Sequence, residues 1–496
     1  MAEFDIAVIG GGINGVGIAR DAAGRGLKVL LVEQGDLAAG TSSASTKLIH
    51  GGLRYLEQRA FSLVRSSLEE REILLHIAPH LVHPMRFVLP VLDDGRPPWM
   101  IRLGLLVYDV FAWNGSLPRT RRLTLNTDAA GGYLRRSYAA AFEYSDCTVD
   151  DSRLVVLNAV DAAERGATIR LHTRCMRADR SDEWTLVLNA RGRRTVTTAR
   201  ALVNATGPWT GQFSELVLRA KEKAPVRLVK GSHIVVPRMF HHDRSYLFQN
   251  RDGRVVFAIP FHDEFTLVGT TDTDYEHDLS ALAPTHADII YLCDAVNEYF
   301  RHTISPGDVV WTFAGVRPLY DDGRSRAQDV TRDYVLEIDS GFRRAPMLTL
   351  YGGKLTTYRR VAEEAMDKVA EFFTPKPAWT AKAPLPGGDL GKISLAQFTE
   401  DARARWPFLS EAHAKRLCDA YGSRVSQILQ SARRMEDLGT CFGADLTAAE
   451  VRYLMHHEWA ESPDDVLWRR SKLGLRFSAE QREALAQFMT GATGAR

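Results

Sequence analysis

Gly10-x-Gly12-x-x-Gly15 is a spacing through which a chain can hold a pyrophosphate. Glycines permit a tight turn and a close approach of ligand to backbone, and a helix opening at that point offers unpaired amides. Glu33, 18 residues after Gly15, can accept a ribose hydroxyl. Together these residues predict a dinucleotide site. Further along, Thr198-x-x-Ala-Leu-Val-Asn-Ala-Thr-Gly207 is an apolar run closing on small residues, Ala205 and Gly207, where backbone can pass close to a bound cofactor. Gly352-Gly-Lys-Leu-Thr-Thr-Tyr358 precedes a helical run with an apolar face at Val361, Ala362, Ala365, Met366, Val369 and Phe373. Glycines at such a start expose amides whose partial positive charge stabilises the electron-rich ring of a reduced flavin. A nicotinamide dinucleotide leaves after each turnover and does not need three distant segments converging on it, so the expected cofactor is FAD.

These groups need elements to position them. Asp5 to Gly10 reads as a strand, Ala19 to Ala23 lies in a helical stretch, and Leu27 to Val32 reads as a second strand, which makes one βαβ unit at the start of the chain. From about Thr168 β-type runs are frequent, and Ser232 to Gly269 is rich in them. Helical stretches cover Ala60 to Ala78 and Thr285 to Phe300. After Phe373 the prolines at 375 and 377 and the Pro384–Gly388 stretch mark a boundary near 380, beyond which apolar residues repeat at helical spacing and an all-helical domain is expected.

The composition narrows the function classes. Lys plus Arg is 63 and Asp plus Glu is 61 in 496 residues, a net charge of +2 that offers a nucleic acid no general attraction. Five cysteines without a CxxC pair suggest neither a disulfide framework nor a thiolate zinc site, and no metal is expected. The start MAEFDIAVIGGG has no basic and apolar export leader, and no apolar stretch of about 18 residues occurs, so the expected location is inside the cell.

Longer matching text joins the motifs. Ile9-Gly-Gly-Gly-Ile-Asn-Gly15 through Asp21-Ala-Ala-Gly-Arg-Gly26, Thr41-Ser-Ser-Ala-Ser-Thr-Lys-Leu-Ile-His-Gly-Gly-Leu-Arg-Tyr-Leu56, Asn204-Ala-Thr-Gly-Pro-Trp209, Lys230-Gly-Ser-His-Ile-Val-Val-Pro237 and Gly352-Gly-Lys-Leu-Thr-Thr-Tyr-Arg359 resemble the FAD-dependent, aerobic glycerol-3-phosphate dehydrogenases over essentially the whole chain. The resemblance implies an α/β fold: a Rossmann-type FAD-binding domain of the glutathione-reductase-2 or amino-acid-oxidase kind, an inserted sheet-containing substrate domain, and a C-terminal all-helical domain. The implied cofactor portion covers roughly 1–80, 150–215 and 310–375, the substrate portion roughly 81–149 and 216–309, and the helical domain 381–496. It further implies oxidation of sn-glycerol 3-phosphate to dihydroxyacetone phosphate, electron transfer to membrane ubiquinone, peripheral attachment to the cytoplasmic face of the inner membrane, and a homodimer. Beside Gly10, Gly12, Gly15 and Glu33, the implied cofactor-binding residues are Asn14, Thr41, Ser42, Ser43, Ser45, Lys47, Leu48, His50, Gly51, Gly52, Ala205, Gly207, Gly353, Lys354, Leu355 and Thr356.

A phosphorylated alcohol sets two chemical demands. Its dianion needs fixed positive charge, and arginine forks match phosphate oxygens better than the point charge of lysine. Arg54, Arg317 and Arg332 are the candidates the family match selects, with Tyr55 and Thr270 as secondary ones. The second demand is a base for the hydroxyl proton while hydride leaves C2. His233, leading into the apolar Ile234–Val236 run, is expected to serve; Arg317 and Lys354 complete the catalytic set, Lys354 anchoring substrate or offsetting negative charge near the flavin. A flavin amine oxidase shares the cofactor architecture, but it binds a carboxylate and has less use for three arginines. Pro98 to Trp113 is apolar, aromatic at both ends and interrupted by Arg102 and Asp109. Too short and charged to span a bilayer, it suits either the membrane interface or a buried helix.

Overall fold

The computed structural model describes residues 2–57, 59–91, 97–113, 115–135, 138–220, 224–250, 252–321, 333–341 and 344–493. Arg332 lies outside them.

The βαβ unit forms as β1 (Phe4–Ile9), α1 (Ile13–Gly24) and β2 (Val29–Val32), with β1 and β2 parallel and Ile6 opposite Val29. β1 is apolar throughout because both its faces are covered. Ile6 and Val8 enter a core shared with helices, whereas Phe4, Ala7 and Ile9 enter one on the opposite side. The sheet runs Val335–Asp339, Met347–Tyr351, Arg193–Asn204, β1, β2, Thr168–Arg170, and an antiparallel hairpin of Thr173–Arg180 and Trp184–Ala190 extends from it.

A second sheet runs Thr273–Asp274, Val226–Pro237, Phe265–Gly269, Val255–Phe261, Ser245–Gln249, Val82–Pro90, Ala140–Val149 and Leu48–Ile49. Trp311–Tyr320 also joins it, pairing antiparallel with Val226–Pro237 from Trp311 opposite Val235 to Tyr320 opposite Val226. Residues 311–320 therefore belong with this sheet and not with the cofactor sheet, where the expected boundaries put them. Alternating apolar residues identify a strand but do not name its partner, and here the long ladder with 226–237 decides.

Three further helices follow the expected stretches, α2 (Phe61–Ile77), α3 (Pro98–Phe111) and α5 (His286–Asn297); α4 (Asp151–Glu164) adds one that the sequence reading does not single out, and after the Gly352-Gly353 turn comes α6 (Tyr358–Val369). Asp150 caps α4 by accepting from the Arg153 amide at 3.1 Å, and Thr285 with Asp288 forms a capping box at α5. α1 is held between α4 and α6. A Cβ at Gly17 would lie 2.9 Å from Tyr358 Cδ2, so glycine lets the tyrosine ring seat there, and Val361, Ala362, Ala365, Met366 and Val369 bury α6 behind it. Each large apolar side chain so buried contributes about 1.5–3 kcal/mol.

α3 is neither fully buried nor free. Leu105 and Tyr108 face inward, while Trp99, Leu103, Leu106 and Val110 are 53–64% exposed. No helix among the described residues is long and apolar enough to cross a membrane.

Beyond Phe373 the chain builds its own core around Trp406, Leu417, Tyr421, Val451, Leu454 and Leu467. It is helical as expected, apart from a short hairpin of Cys441–Gly443 with Leu446–Thr447. This part is bound to the rest by polar and aromatic contacts: Arg470 with Asp36, Arg153 with Glu458, and Trp468 stacked on Trp311 at 4.7 Å.

Candidate active site

Two adjoining cavities occupy the seam between the sheets. The first, about 410 Å³, begins at Val32 and Glu33, crosses Gly10, Gly12 and Asn14 at the α1 N-terminus, and passes Ala205, Gly207 and Trp209 to reach Gly352, Gly353 and Leu355. Gly10 has φ +115°, and a Cβ on it would sit 2.4 Å from the Ala205 carbonyl oxygen, so the turn ending β1 is open to glycine alone. Gly15 works one layer deeper: its Cβ would be 1.9 Å from Gly10 O, so it brings helix and strand together and does not line the cavity.

The protein itself uses part of the anion-binding capacity of this helix start. Glu33 Oε2 accepts from the Gly11 amide at 2.6 Å and Oε1 from the Gly35 amide at 2.8 Å, while Ser42 Oγ accepts from the Ile13 amide at 3.0 Å. Burial pushes the Glu33 carboxyl up from its ordinary value against those amides. Asn14 lines the cavity, donating through Nδ2 to Gly352 O at 3.3 Å, and its buried Oδ1 has no hydrogen-bond partner among the described residues. An extended dinucleotide fits this channel: it is lined at one end by an acid, in its middle by glycines at a helix start, and at its far end by a glycine pair at φ +75° and +93°. FAD is a group these residues suit.

The second cavity, about 280 Å³, continues past Gly353 and shares Thr41, Ser45, Pro318 and Leu355 with the first. Its walls carry His233 and Arg317 from the second sheet and Arg54, Tyr55, His50, Thr270 and Lys354 from turns beside the sheets. Arg317 Nη1 donates to Asp272 Oδ1 at 2.5 Å, and Arg54 Nη1 lies 3.9 Å from Asp272 Oδ2, so one carboxylate orients both guanidinium groups. Gly231 makes room for this clamp, since its Cβ would be 2.6 Å from Thr270 Oγ1 and 2.9 Å from Arg317 Nη2. Lys354 Nζ sits 3.7 Å from the Tyr55 ring centroid.

His233 is held on three sides. Its ring stacks on Phe313 at 4.8 Å and 11°, Nε2 lies 3.0 Å from Thr46 Oγ1, and Gly269 leaves the space a Cβ would take 2.0 Å from its Cδ2. Burial, with the Arg317 and Lys47 charges adding to it, holds the imidazole well below its ordinary 6.5. The ring is neutral at neutral pH. His50, buried beside the Lys354 cation, is likewise pushed down to about 4.

The structure gathers most of the residues selected from the sequence. Glu33, Gly10, Gly12, Asn14, Ser42, Ala205 and Gly207 line the first cavity; Leu48, His50, Gly52 and Thr356 line the second; Thr41, Ser45, Gly353 and Leu355 line both. Three others stand behind the walls. Lys47 Nζ is buried against Asp151, 2.8 Å from Oδ2, and also donates to Ser43 O at 2.9 Å. Gly51 faces Tyr108. Two site residues have no motif to announce them, Asp272 and Phe313, and Thr46, though inside the Thr41–Leu56 stretch, is not singled out by it; they meet His233 or the arginines only in the fold.

Residues 5–359 match the family described as FAD dependent oxidoreductase, and residues 378–492 the one described as C-terminal domain of alpha-glycerophosphate oxidase. The chain is 48% identical over 493 residues to the glycerol-3-phosphate dehydrogenase of Pseudomonas aeruginosa, covering 99% of this chain and 96% of that one. It is 45% identical over 499 residues to the D-erythritol 1-phosphate dehydrogenase of Brucella abortus, covering 99% of each. Among solved structures, the glycerol-3-phosphate dehydrogenase of Bacillus halodurans complexed with FAD superposes with a TM-score of 0.79 at 28% identity, covering 100% of this chain and 92% of that one.

Proposed function

The chain belongs to the FAD-dependent glycerol-3-phosphate dehydrogenases, and from that premise we propose that it oxidises sn-glycerol 3-phosphate at C2 to dihydroxyacetone phosphate and passes the electrons to a membrane quinone. The observation that carries the reading is the arginine pair Arg54 and Arg317, oriented by one carboxylate in the same cavity as the neutral His233. Bound FAD supplies the acceptor for the hydride that leaves C2 with the electron pair of its C–H bond.

The residues divide the remaining work. Arg54 and Arg317 bind the phosphate dianion through charge-assisted hydrogen bonds, each contributing about 1.5–3 kcal/mol. His233 takes the C2 hydroxyl proton on its lone-pair nitrogen as the carbonyl forms. Its depressed basicity keeps that lone pair available at neutral pH, and Thr46 and Phe313 fix the ring's rotation. Lys354 places a cation beside Tyr55 at the junction of the cavities, where it offsets charge accumulating near the cofactor. Asn14, Ser42, Thr41, Ser45 and the Gly352-Gly353 turn hold the cofactor.

Peripheral attachment to a membrane is supported by α3, whose outward residues are Trp99, Leu103, Leu106 and Val110, with Trp113 under the Arg119 guanidinium at 4.0 Å just beyond its end. Such a face sinks into a bilayer interface with aromatic and arginine side chains at headgroup level. A quinone dissolved in that bilayer is the acceptor this arrangement suits.

The test is anaerobic. Glycerol 3-phosphate added to the yellow holoenzyme bleaches the flavin, and a ubiquinone analogue restores the colour; persistence of the colour after the first addition overturns the reading. D-Erythritol 1-phosphate, the substrate named for the 45% identical relative, is the competing polyol phosphate to compare by kcat/KM.

A further inference from the structure

The turn that carries Arg54 and Tyr55 is short. It is the 3-10 segment Leu53–Leu56, entered through Gly51 and through Gly52 at φ +76°. What holds its entry is a buried polar knot brought by two helices and a strand. The Gly51 amide donates to Tyr108 Oη at 2.9 Å, and Tyr108 donates to the Asp146 carboxylate with both oxygens at 2.7 Å. Asp146 Oδ1 in turn accepts from Arg71 Nη1 of α2 at 3.0 Å. Tyr108 is 1% exposed, and Asp146 and Arg71 are each 2% exposed. A Cβ at Gly51 would lie 2.6 Å from Tyr108 Oη, so glycine at this position is what admits the hydroxyl. The Tyr108 ring also meets Tyr144, a wall of the second cavity, edge-on at 5.8 Å.

We propose that Tyr108 is a positioning residue of the substrate site: its hydroxyl fixes the Gly51 amide and thereby the turn that delivers Arg54 and Tyr55 to the phosphate. The inference rests on the phosphate-binding reading of Arg54. The knot is fully satisfied and water-excluded, the condition under which a polar network fixes one geometry.

The test uses FAD-loaded Tyr108→Phe, which keeps the ring and removes the oxygen. Hydrogen exchange over residues 48–57 should accelerate about tenfold, and KM for glycerol 3-phosphate should rise about tenfold with kcat changed less than about twofold, while FAD retention and the flavin spectrum stay as in the parent. A merely structural role would instead lower Tm and FAD retention and leave KM unmoved, which overturns the proposal, as does an unchanged exchange rate. Should Tyr108→Phe fail to fold, the parent enzyme decides: a Gly51 amide protected like the core strands supports the proposal, and one exchanging like the exposed turns overturns it. Exchange reports on the turn without substrate, so accelerated exchange in a protein that glycerol 3-phosphate does not bleach leaves the positioning role standing and removes the substrate reading alone.

Discussion

Arg317 Nη1 lies 2.5 Å from Asp272 Oδ1 in the wall of the second cavity. The carboxylate takes one of the five guanidinium donors and fixes the plane of the fork, the geometry in which an arginine can meet a phosphate in two parallel hydrogen bonds. Lysine at 317 would keep the charge and lose the fork. Arg317→Lys is therefore expected to raise KM on the order of 10- to 100-fold, the equivalent of one charge-assisted bond at about 1.5–3 kcal/mol, with a smaller change in kcat. Steady-state kinetics with a quinone analogue checks it, and an unchanged KM would remove Arg317 from the phosphate site.

His233 is expected to act as proton acceptor from a neutral resting state. His233→Asn should retain FAD and bind substrate but lose flavin reduction by about 100- to 10,000-fold, the usual contribution of a positioned base. Thr46→Val, which frees the ring without removing it, should cost about tenfold by the same measure. Because burial and the Arg317 charge hold this imidazole well below 6.5, the reduction rate should show no histidine titration between about pH 6.5 and 8. Stopped-flow absorbance reads all three; an unchanged rate in His233→Asn rejects the assignment.

The contrast between these two residues and their neighbours shows what sequence reveals. Gly10, Gly12, Gly15 and Glu33 are legible because the chemistry of a pyrophosphate turn is local, within one strand, one helix and the next strand. Arg54 and His233 are legible only as parts of longer matching text, and Arg317 only through the family resemblance, since nothing in their spacing says that a turn at 54 and strands at 233 and 317 meet. Asp272 and Phe313 escape altogether, since Phe313 meets His233 through the antiparallel pairing of 226–237 with 311–320 and Asp272 follows the 265–269 strand paired to the same ladder, while Thr46 stands in matching text that does not reveal its contact with His233. The same limit explains the misplaced segment 311–320. Nothing local in that segment names its partner, and only the register of its ladder with 226–237 chooses the sheet.

Asn14 ties the α1 start to the Gly352 carbonyl at 3.3 Å, closing the cofactor channel between the first strand unit and the late glycine turn. Asn14→Ala removes that tie. One hydrogen bond of about 0.5–1.5 kcal/mol corresponds to roughly 2- to 10-fold weaker FAD binding. Recovery of flavin fluorescence on dilution measures it, and a dissociation constant equal to that of the parent would show that Asn14 does not hold the channel closed.

Stability should fall on mild acidification, with His80 as one identifiable cause. His80 is fully buried, neither ring nitrogen has a hydrogen-bond partner among the described residues, and burial with the Arg153 charge lowers its pKa from 6.5 to about 3. Between those values the unfolded chain binds a proton there that the folded chain does not, so folding stability drops as pH falls through that window. Each fully titrating group contributes a slope of about 1.4 kcal/mol per pH unit. His80→Gln should flatten urea-derived stability between pH 6.5 and 5 by about that slope; curves parallel to the parent's over the same range would exclude His80.

The outer face of α3 separates membrane docking from structural packing because its residues sort cleanly by exposure. Leu105 is fully buried, so substituting it would damage the fold and confuse the outcome, whereas Trp99, Leu103 and Leu106 are each more than half exposed and leave the core untouched. Serine at those three positions is expected to keep FAD, Tm and flavin reduction by glycerol 3-phosphate within about twofold of the parent, since exposed positions away from the core change stability by only about 0.5 kcal/mol each. Flotation with vesicles containing anionic phospholipid should fall about tenfold or more, because each of the three side chains contributes on the order of 1 kcal/mol or more on entering the acyl boundary. Quinone reduction with a vesicle-dissolved quinone should fall in parallel while a water-soluble acceptor is reduced at the parental rate. Undiminished flotation would show that the membrane contact lies away from α3.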